Sequence, residues 1–261
     1  METAIEVKRL ITHYGDREIL KNISFSVPKG KTTVILGGSG CGKSTLLKHL
    51  IGLLKPTAGQ ILVNGSDITQ MTEDRLNDVR KKTGVLFQGA ALLNSMTVAD
   101  NVALPMREHT KLKESTIDIM VRMKLDLVGL SGFDGFYPSQ LSGGMKKRAG
   151  LARAIALDPE LLFFDEPSAG LDPVTAAGLD DLIVRMRNVF SMTIIVVTHE
   201  LPSVFTIADY VIMLDRGNLI FAGSLDELRA SDNPRIRMFL DRQPEPETYS
   251  PEDYFKIIVG D

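Results

Sequence analysis

The sequence predicts an α/β fold: a parallel sheet flanked by helices, an antiparallel β layer beside it, and a helical subdomain inserted partway along. Three observations lead there. Short apolar runs at residues 33–36, 161–164, 193–197 and 210–214 are continuous rather than alternating, as strands buried on both faces are. Each adjoins a helical pattern, the signature of βαβ units. Between about residues 88 and 158 strand signals vanish and helical periodicity takes over.

In chain order, residues 5–10, 19–27 and 60–63 are strand-like and bounded by turn residues (Tyr14-Gly15-Asp16, Pro28-Lys29-Gly30, Asn64-Gly65). They predict the antiparallel layer. Helices are expected over 45–53 and 145–157. Asp172 followed by Pro173 predicts a helix cap with proline at the first helical position, and Ser224 with Glu227 predicts a capping box. The expected division is a core of residues 1–87 and 159–241, an inserted subdomain of 88–158, and an acidic, Pro-rich tail of 242–261.

Composition narrows the function classes. The 261 residues carry 30 Lys+Arg against 33 Asp+Glu, a formal net charge of -3, which argues against a broad basic surface for nucleic acid. The tail holds Arg242 and Lys256 against Glu245, Glu247, Glu252, Asp253 and Asp261, leaving 28 charges of each sign in the preceding 241 residues. Its apolar end, Tyr254 to Val259, reads either as an anchor docking on a second copy or a small regulatory partner, or as a solvated terminus. One cysteine, Cys41, excludes intramolecular disulfides and Cys-rich zinc sites and fits a reducing compartment. The N-terminus lacks a signal-peptide core, and no run approaches the roughly 18 apolar residues of a membrane span.

The strongest local signal is Gly37-Gly38-Ser39-Gly40-Cys41-Gly42-Lys43-Ser44-Thr45. It has the P-loop spacing G-x4-G-K-[ST], after a predicted strand and before a predicted helix. Glycines let successive N–H groups form a nest, and the helix N-terminus adds its positive dipole end, so the segment suits a polyphosphate. Lys43 is expected on the β- and γ-phosphates and Ser44 on Mg²⁺. Leu161-Leu162-Phe163-Phe164-Asp165-Glu166 reads as a buried strand delivering two carboxylates at its C-terminal edge, where open α/β sheets bind ligands. Asp165 is expected to hold the metal and Glu166 to polarise a water. Cys41, near a helix N-terminus, invites a redox-switch reading with a lowered thiol pKa.

Leu141-Ser142-Gly143-Gly144-Met145, followed by KKRAGLARAIALDPELLFFDEP, resembles the signature sequence of the ATP-binding cassette ATPases. The accessory motifs stand in family order over about residues 5–241: Tyr14 as the adenine-stacking aromatic, Gln88 in the Q-loop, Ser168 to Asp172 as the D-loop, and His199 as the switch histidine. The resemblance implies a P-loop NTPase (RecA-like) core and ATP hydrolysis with Mg²⁺ held by Ser44, Gln88 and Asp165. It implies a head-to-tail ATP-sandwich dimer in which Ser142, Gly143, Gly144 and Asp172 meet the nucleotide on the second copy. Glu166 is the expected general base, with His199 and Gln88 assisting. Alone, Tyr14 also reads as a turn aromatic, and His199 as a structural histidine.

Met145 in place of the commoner Gln, with NVALPMREHT and NPRIRMFLD, resembles one branch: the ATPases of Mla/Mce-type phospholipid transporters in Gram-negative envelopes. That branch implies a separate integral membrane permease, a STAS-domain small protein, an MCE-domain lipid-binding protein, and a peripheral place on the cytoplasmic face of the inner membrane. The permease groove is expected near residues 88–107, where Ala91, Leu92, Leu93 and Met96 suit either a partner helix or the subdomain core. Competing readings are a transporter ATPase for an amino acid, metal or drug, a soluble cassette in translation or DNA maintenance, and a nucleotide-binding pseudo-ATPase. One cassette and one cysteine disfavour the soluble class, and the presence of Lys43, Asp165, Glu166 and His199 disfavours the pseudo-ATPase.

Overall fold

The computed structural model describes residues 2–244. Its strands are β1 (Thr3–Tyr14), β2 (Arg17–Pro28), β3 (Thr32–Gly37), β4 (Ala58–Val63), β5 (Ser66–Asp67), β6 (Thr83–Leu86), β7 (Leu161–Asp165), β8 (Thr193–Val197), β9 (Tyr210–Asp215) and β10 (Asn218–Ser224). Its helices are α1 (Lys43–Leu50), α2 (Glu73–Lys81), α3 (Val98–His109), α4 (Glu114–Leu127), α5 (Gly143–Ala154), α6 (Pro173–Phe190), α7 (Leu201–Ile207), α8 (Leu225–Ala230) and α9 (Pro234–Leu240).

The strands form an antiparallel sheet in the order β2-β1-β4-β5 and a larger sheet in the order β10-β9-β3-β8-β7-β6. The larger sheet is parallel except for β10, which pairs antiparallel with β9 at one edge. Continuous apolar runs have a simple consequence here, because successive side chains point to opposite faces and both faces are covered. Val34, Leu36, Leu162, Phe164, Ile194 and Val196 pack toward the helices α3–α7. Ile35, Phe163, Ile195, Val197 and Leu214 pack toward α1 and the antiparallel layer. Phe163 and Phe164 are both fully buried, on opposite sides, and truncating either to alanine removes about 3–5 kcal/mol.

Both expected caps form. Asp172 accepts hydrogen bonds from the amides of Val174 and Thr175, and Ser224 with Glu227 closes a capping box. Two helices start earlier than the apolar periodicity suggests, at Lys43 rather than 45 and at Gly143 rather than 145. In each case the motif itself supplies the first turn: Gly42, at φ 108°, ends the loop, and Ser142 caps α5 by accepting from the Met145 amide. Periodicity registers apolar side chains, and these first turns open on Lys43-Ser44 and Gly143-Gly144, which carry none. β10 is a further strand, half-exposed at the edge of the larger sheet.

Helices α3, α4 and α5 pack on one another beside β6. Asn101, fully buried on α3, accepts from the Leu93 amide and donates to the carbonyls of Leu93 and Thr97, fixing the stretch that follows Gln88. Leu92 packs into the core, whereas Ala91 and Leu93 stand exposed and Met96 is half-buried. His49 is buried against Thr12 and Leu54, whereas His13 is exposed. The apolar end of the tail, Tyr254 to Val259, lies outside the described residues.

Candidate functional site

Strand register brings the predicted residues together. Leu86 pairs with Phe164, Phe164 with Val196 and Val34 with Val196, so four adjacent strands end at one level. The residues just beyond those ends are Gln88, Glu166, His199 and the P-loop, all at the C-terminal edge of the parallel sheet. Gly38, Ser39, Gly40, Lys43, Ser44, Gln88, Glu166 and His199 line one cavity of about 640 Å³.

The loop from Gly37 to Gly42 is shaped by backbone conformations that side chains resist. Gly37 has φ 150°, and a Cβ there would lie 2.3 Å from the Leu214 carbonyl oxygen. Gly42, at φ 108°, would push a Cβ to 2.7 Å from Leu20. Gly38, Ser39 and Gly40 are exposed, so the nest opens to solvent at the head of α1. Lys43 is almost buried and donates to the carbonyls of Gly37 (2.8 Å) and Gly38 (2.9 Å). Ser44 is exposed and Thr45 half-buried on the first turn.

Cys41 departs from expectation. Proximity to a helix N-terminus predicts a lowered thiol pKa, but burial pushes it up, outweighing the opposing charge of Lys43. Its side chain is turned inward against Gly37 and the core cluster, so it is a packed thiol and not a reactive one.

At the end of β7, Asp165 has a carboxyl pushed up by burial and by Glu166, against the cations Lys48, Lys43 and Lys147. One oxygen of each carboxylate, Asp165 Oδ1 and Glu166 Oε2, is buried with no partner. Glu166 adopts a left-handed backbone (φ 46°), and its amide donates to the Val197 carbonyl. Its other oxygen, Oε1, accepts from His199 Nδ1 at 2.9 Å. Orphaned buried oxygens are costly unless something arrives to meet them. Among the described residues no cluster of three His, Cys, Asp or Glu exists to hold a metal without help. The buried, unpartnered Asp165 oxygen and the exposed Ser44 hydroxyl are donors of the kind Mg²⁺ takes, an ion that commonly has one or two protein ligands and completes its shell from phosphate and water.

Other predicted residues stand outside this cavity. Ser142 and Gly143 are exposed at the N-terminus of α5. Gly144 is buried, and a Cβ there would meet Thr175 at 2.4 Å, so the motif rests directly on the start of α6. Asp172 is exposed, and its carboxylate is occupied by Val174, Thr175 and the Thr175 hydroxyl, which hold it below the usual carboxylate range. Tyr14 sits exposed at the β1–β2 hairpin end.

Several residues lining or supporting the cavity were not assigned to it from sequence. Met238, Phe239, Arg242 and Gln243, at the end of α9, line its wall. A two-pronged Arg235–Asp215 pair ties α9 to β9. The run NPRIRMFLD marked the segment, but nothing in it announced proximity to the P-loop. Lys147, within the signature helix, donates to the carbonyls of Gln88 and Glu166.

Residues 20–169 match the sequence family described as ABC transporter. The chain is 45% identical to the intermembrane phospholipid transport system ATP-binding protein MlaF of Haemophilus influenzae, over 98% of each chain. It is 47% identical to the probable ribonucleotide transport ATP-binding protein mkl of Mycobacterium leprae, over 92% of this chain and 69% of that one. Among solved structures, a dimeric ATP-binding cassette in a post-hydrolysis state bound to ADP and Pi superposes with TM-score 0.78 at 28% identity. That superposition covers 85% of this chain and 98% of the cassette.

Proposed function

The chain belongs to the ATP-binding cassette transporter family and is an ATPase, and on that premise we propose that it works as a head-to-tail dimer driving a separate permease for phospholipid. The observation that carries the chemistry is the convergence of Lys43, Ser44, Gln88, Glu166 and His199 on one cavity. The P-loop amides and Lys43 bind the polyphosphate, Lys43 exchanging its loop carbonyls for phosphate oxygens. Ser44, Asp165 and Gln88 would hold Mg²⁺, which would neutralise phosphate charge when bound. The Glu166 carboxylate accepts the proton of the attacking water, and His199, donating to Oε1, keeps it oriented. Tyr14 stacks on adenine.

The γ-phosphate side of this cavity is closed by a second copy. Ser142, Gly143 and the exposed N-terminus of α5 offer a hydroxyl, amides and a dipole end to an anion that this chain does not itself hold. Asp172 serves by shaping the segment beside that motif. Closure excludes water and hydrolysis reopens the pair. With a core of 1–87 and 159–241 and a helical subdomain of 88–158, the signature motif belongs to the subdomain.

A second cavity, of about 710 Å³, lies where α2 and β6 face α3 and α5, lined by Phe87, Pro105, His109 and Arg153 among others. It is the groove for a permease helix, displaced from the exposed Leu93 toward α2. Among the described residues no helix is long and apolar enough to cross a membrane, so the lipid path is assigned to that partner. The likeness to MlaF supports phospholipid as substrate. The STAS-domain protein, the MCE-domain protein and the place on the cytoplasmic face of the inner membrane rest on the sequence resemblance alone and complete the proposal. The likeness to mkl favours a second reading, ribonucleotide. Purification with its native partners, followed by ATPase assays with phospholipid or ribonucleotide, tests the two. Stimulation by phospholipid and an MCE-domain partner are expected, and stimulation by ribonucleotide alone would overturn the lipid assignment.

A further inference from the structure

Helix α5 begins at the motif offered to the second copy, yet its other contacts reach back to this chain's own cavity. Arg153 donates to the carbonyls of Ala91 (2.7 Å) and Ala90 (3.0 Å). Lys147, only 6% exposed, donates to the Gln88 carbonyl and, at 3.3 Å, to the Glu166 carbonyl. The segments it grips are conformationally costly. Ala90, Ala91 and Glu166 all have positive φ (59°, 50° and 46°), a region that residues with a Cβ avoid unless their surroundings hold them there. The Glu166 amide is already fixed to β8 through Val197, so its carbonyl contact with Lys147 closes the second side of the same residue.

We propose that Lys147 is a positioning residue that holds the Gln88 loop and the Glu166 backbone in one register, so that the placement of the signature helix is passed to the carboxylate that activates water. The inference rests on the reading of Glu166 as general base. A lysine suits the role because a single ammonium has three donors and reaches two carbonyls from different elements. Burial lowers its pKa, against the opposing pull of Asp165 and Glu166. Lys147 does not line the nucleotide cavity, which separates positioning from binding.

The test compares Lys147→Met, which keeps the buried stem and removes the donors, with Lys147→Arg, which restores them. Three quantities are read on the full chain: kcat for ATP, Kd for a fluorescent ATP analogue, and Tm. Lys147→Met is expected to lower kcat at least about tenfold and leave Kd within about twofold, the split that lost positioning produces. Lys147→Arg should recover most of kcat. In the Glu166→Gln background, ATP-driven dimerisation should survive Lys147→Met. Unchanged kcat in Lys147→Met, a parallel loss of kcat and nucleotide affinity, or no recovery in a folded Lys147→Arg would overturn the proposal. If Lys147→Met melts too low to assay, Lys147→Arg and Lys147→Gln decide it, with kcat following the number of donors retained. Wild-type turnover by Glu166→Gln overturns the base assignment itself, whereas an inactive Glu166→Gln beside a fully active Lys147→Met overturns only the positioning role.

Discussion

Around the P-loop, side chains converge from four strands and leave Asp165 Oδ1 and Glu166 Oε2 buried without partners. At the start of α5 the polar groups are either satisfied by their own helix, as Ser142 is by the Met145 amide, or stand in the open. One region is an incomplete enclosure that holds unmet acceptors. The other is a complete surface that offers donors. Within one chain the signature residues do not line the P-loop cavity. The difference teaches why the proposed function calls for a second copy turned head to tail: each region would supply what the other lacks.

Substitutions that touch one region and spare the other separate them. The largest effect is expected from Glu166→Gln, which keeps the shape of the enclosure and removes the proton acceptor. Hydrolysis should fall about 100- to 10,000-fold, with ATP binding retained and a long-lived dimer visible by gel filtration. Ser142→Arg attacks the opposite region. It should lower turnover about 100-fold while ATP affinity of the isolated chain stays near normal; a matching loss of affinity would mean that α5 serves its own nucleotide. Lys43→Ala should weaken ATP binding about 30-fold in an equilibrium titration, since one charge-assisted contact to phosphate is removed.

The smallest expected effect belongs to the support beneath the P-loop. His49 Nδ1 donates to the Leu54 carbonyl and Nε2 accepts from the Thr12 hydroxyl, and burial lowers its pKa. The unfolded chain therefore binds this proton at a higher pH than the folded one does. Stability contributed by neutral His49 is present above the ordinary histidine pKa of about 6.5 and is lost as pH falls below it. His49→Gln should flatten the dependence of Tm on pH between about 7 and 5, while leaving the signature region unaffected.

Much of this was legible in the residues. The both-face burial of the parallel sheet follows from apolar runs without alternation, as Phe163 and Phe164 illustrate by packing on opposite sides. The P-loop is a local motif whose glycines are required by backbone angles, so its geometry is written where it occurs. The capping residues Asp172 and Ser224 are equally local.

Cys41 shows where local reasoning fails. Its neighbour α1 predicts an acidic thiol, but desolvation by residues distant in sequence, among them Leu214, decides otherwise. Lys147 and Arg153 look like ordinary helix cations, and only folding reveals that their partners are carbonyls some 60 residues away, at Gln88, Ala90 and Ala91. The wall formed by α9 is likewise invisible until Arg235 meets Asp215.

By itself, then, the sequence determined the fold class, the phosphate loop and the chemical groups available at the sheet edge, because these depend on periodicity, backbone permissiveness and side-chain type. Tertiary structure alone decided that one Glu166 and one Asp165 oxygen stay unpartnered, that Cys41 is buried with its thiol pKa raised, and that the signature helix is fastened to the Glu166 backbone. Those outcomes depend on which distant groups a side chain meets and how much water is left around it.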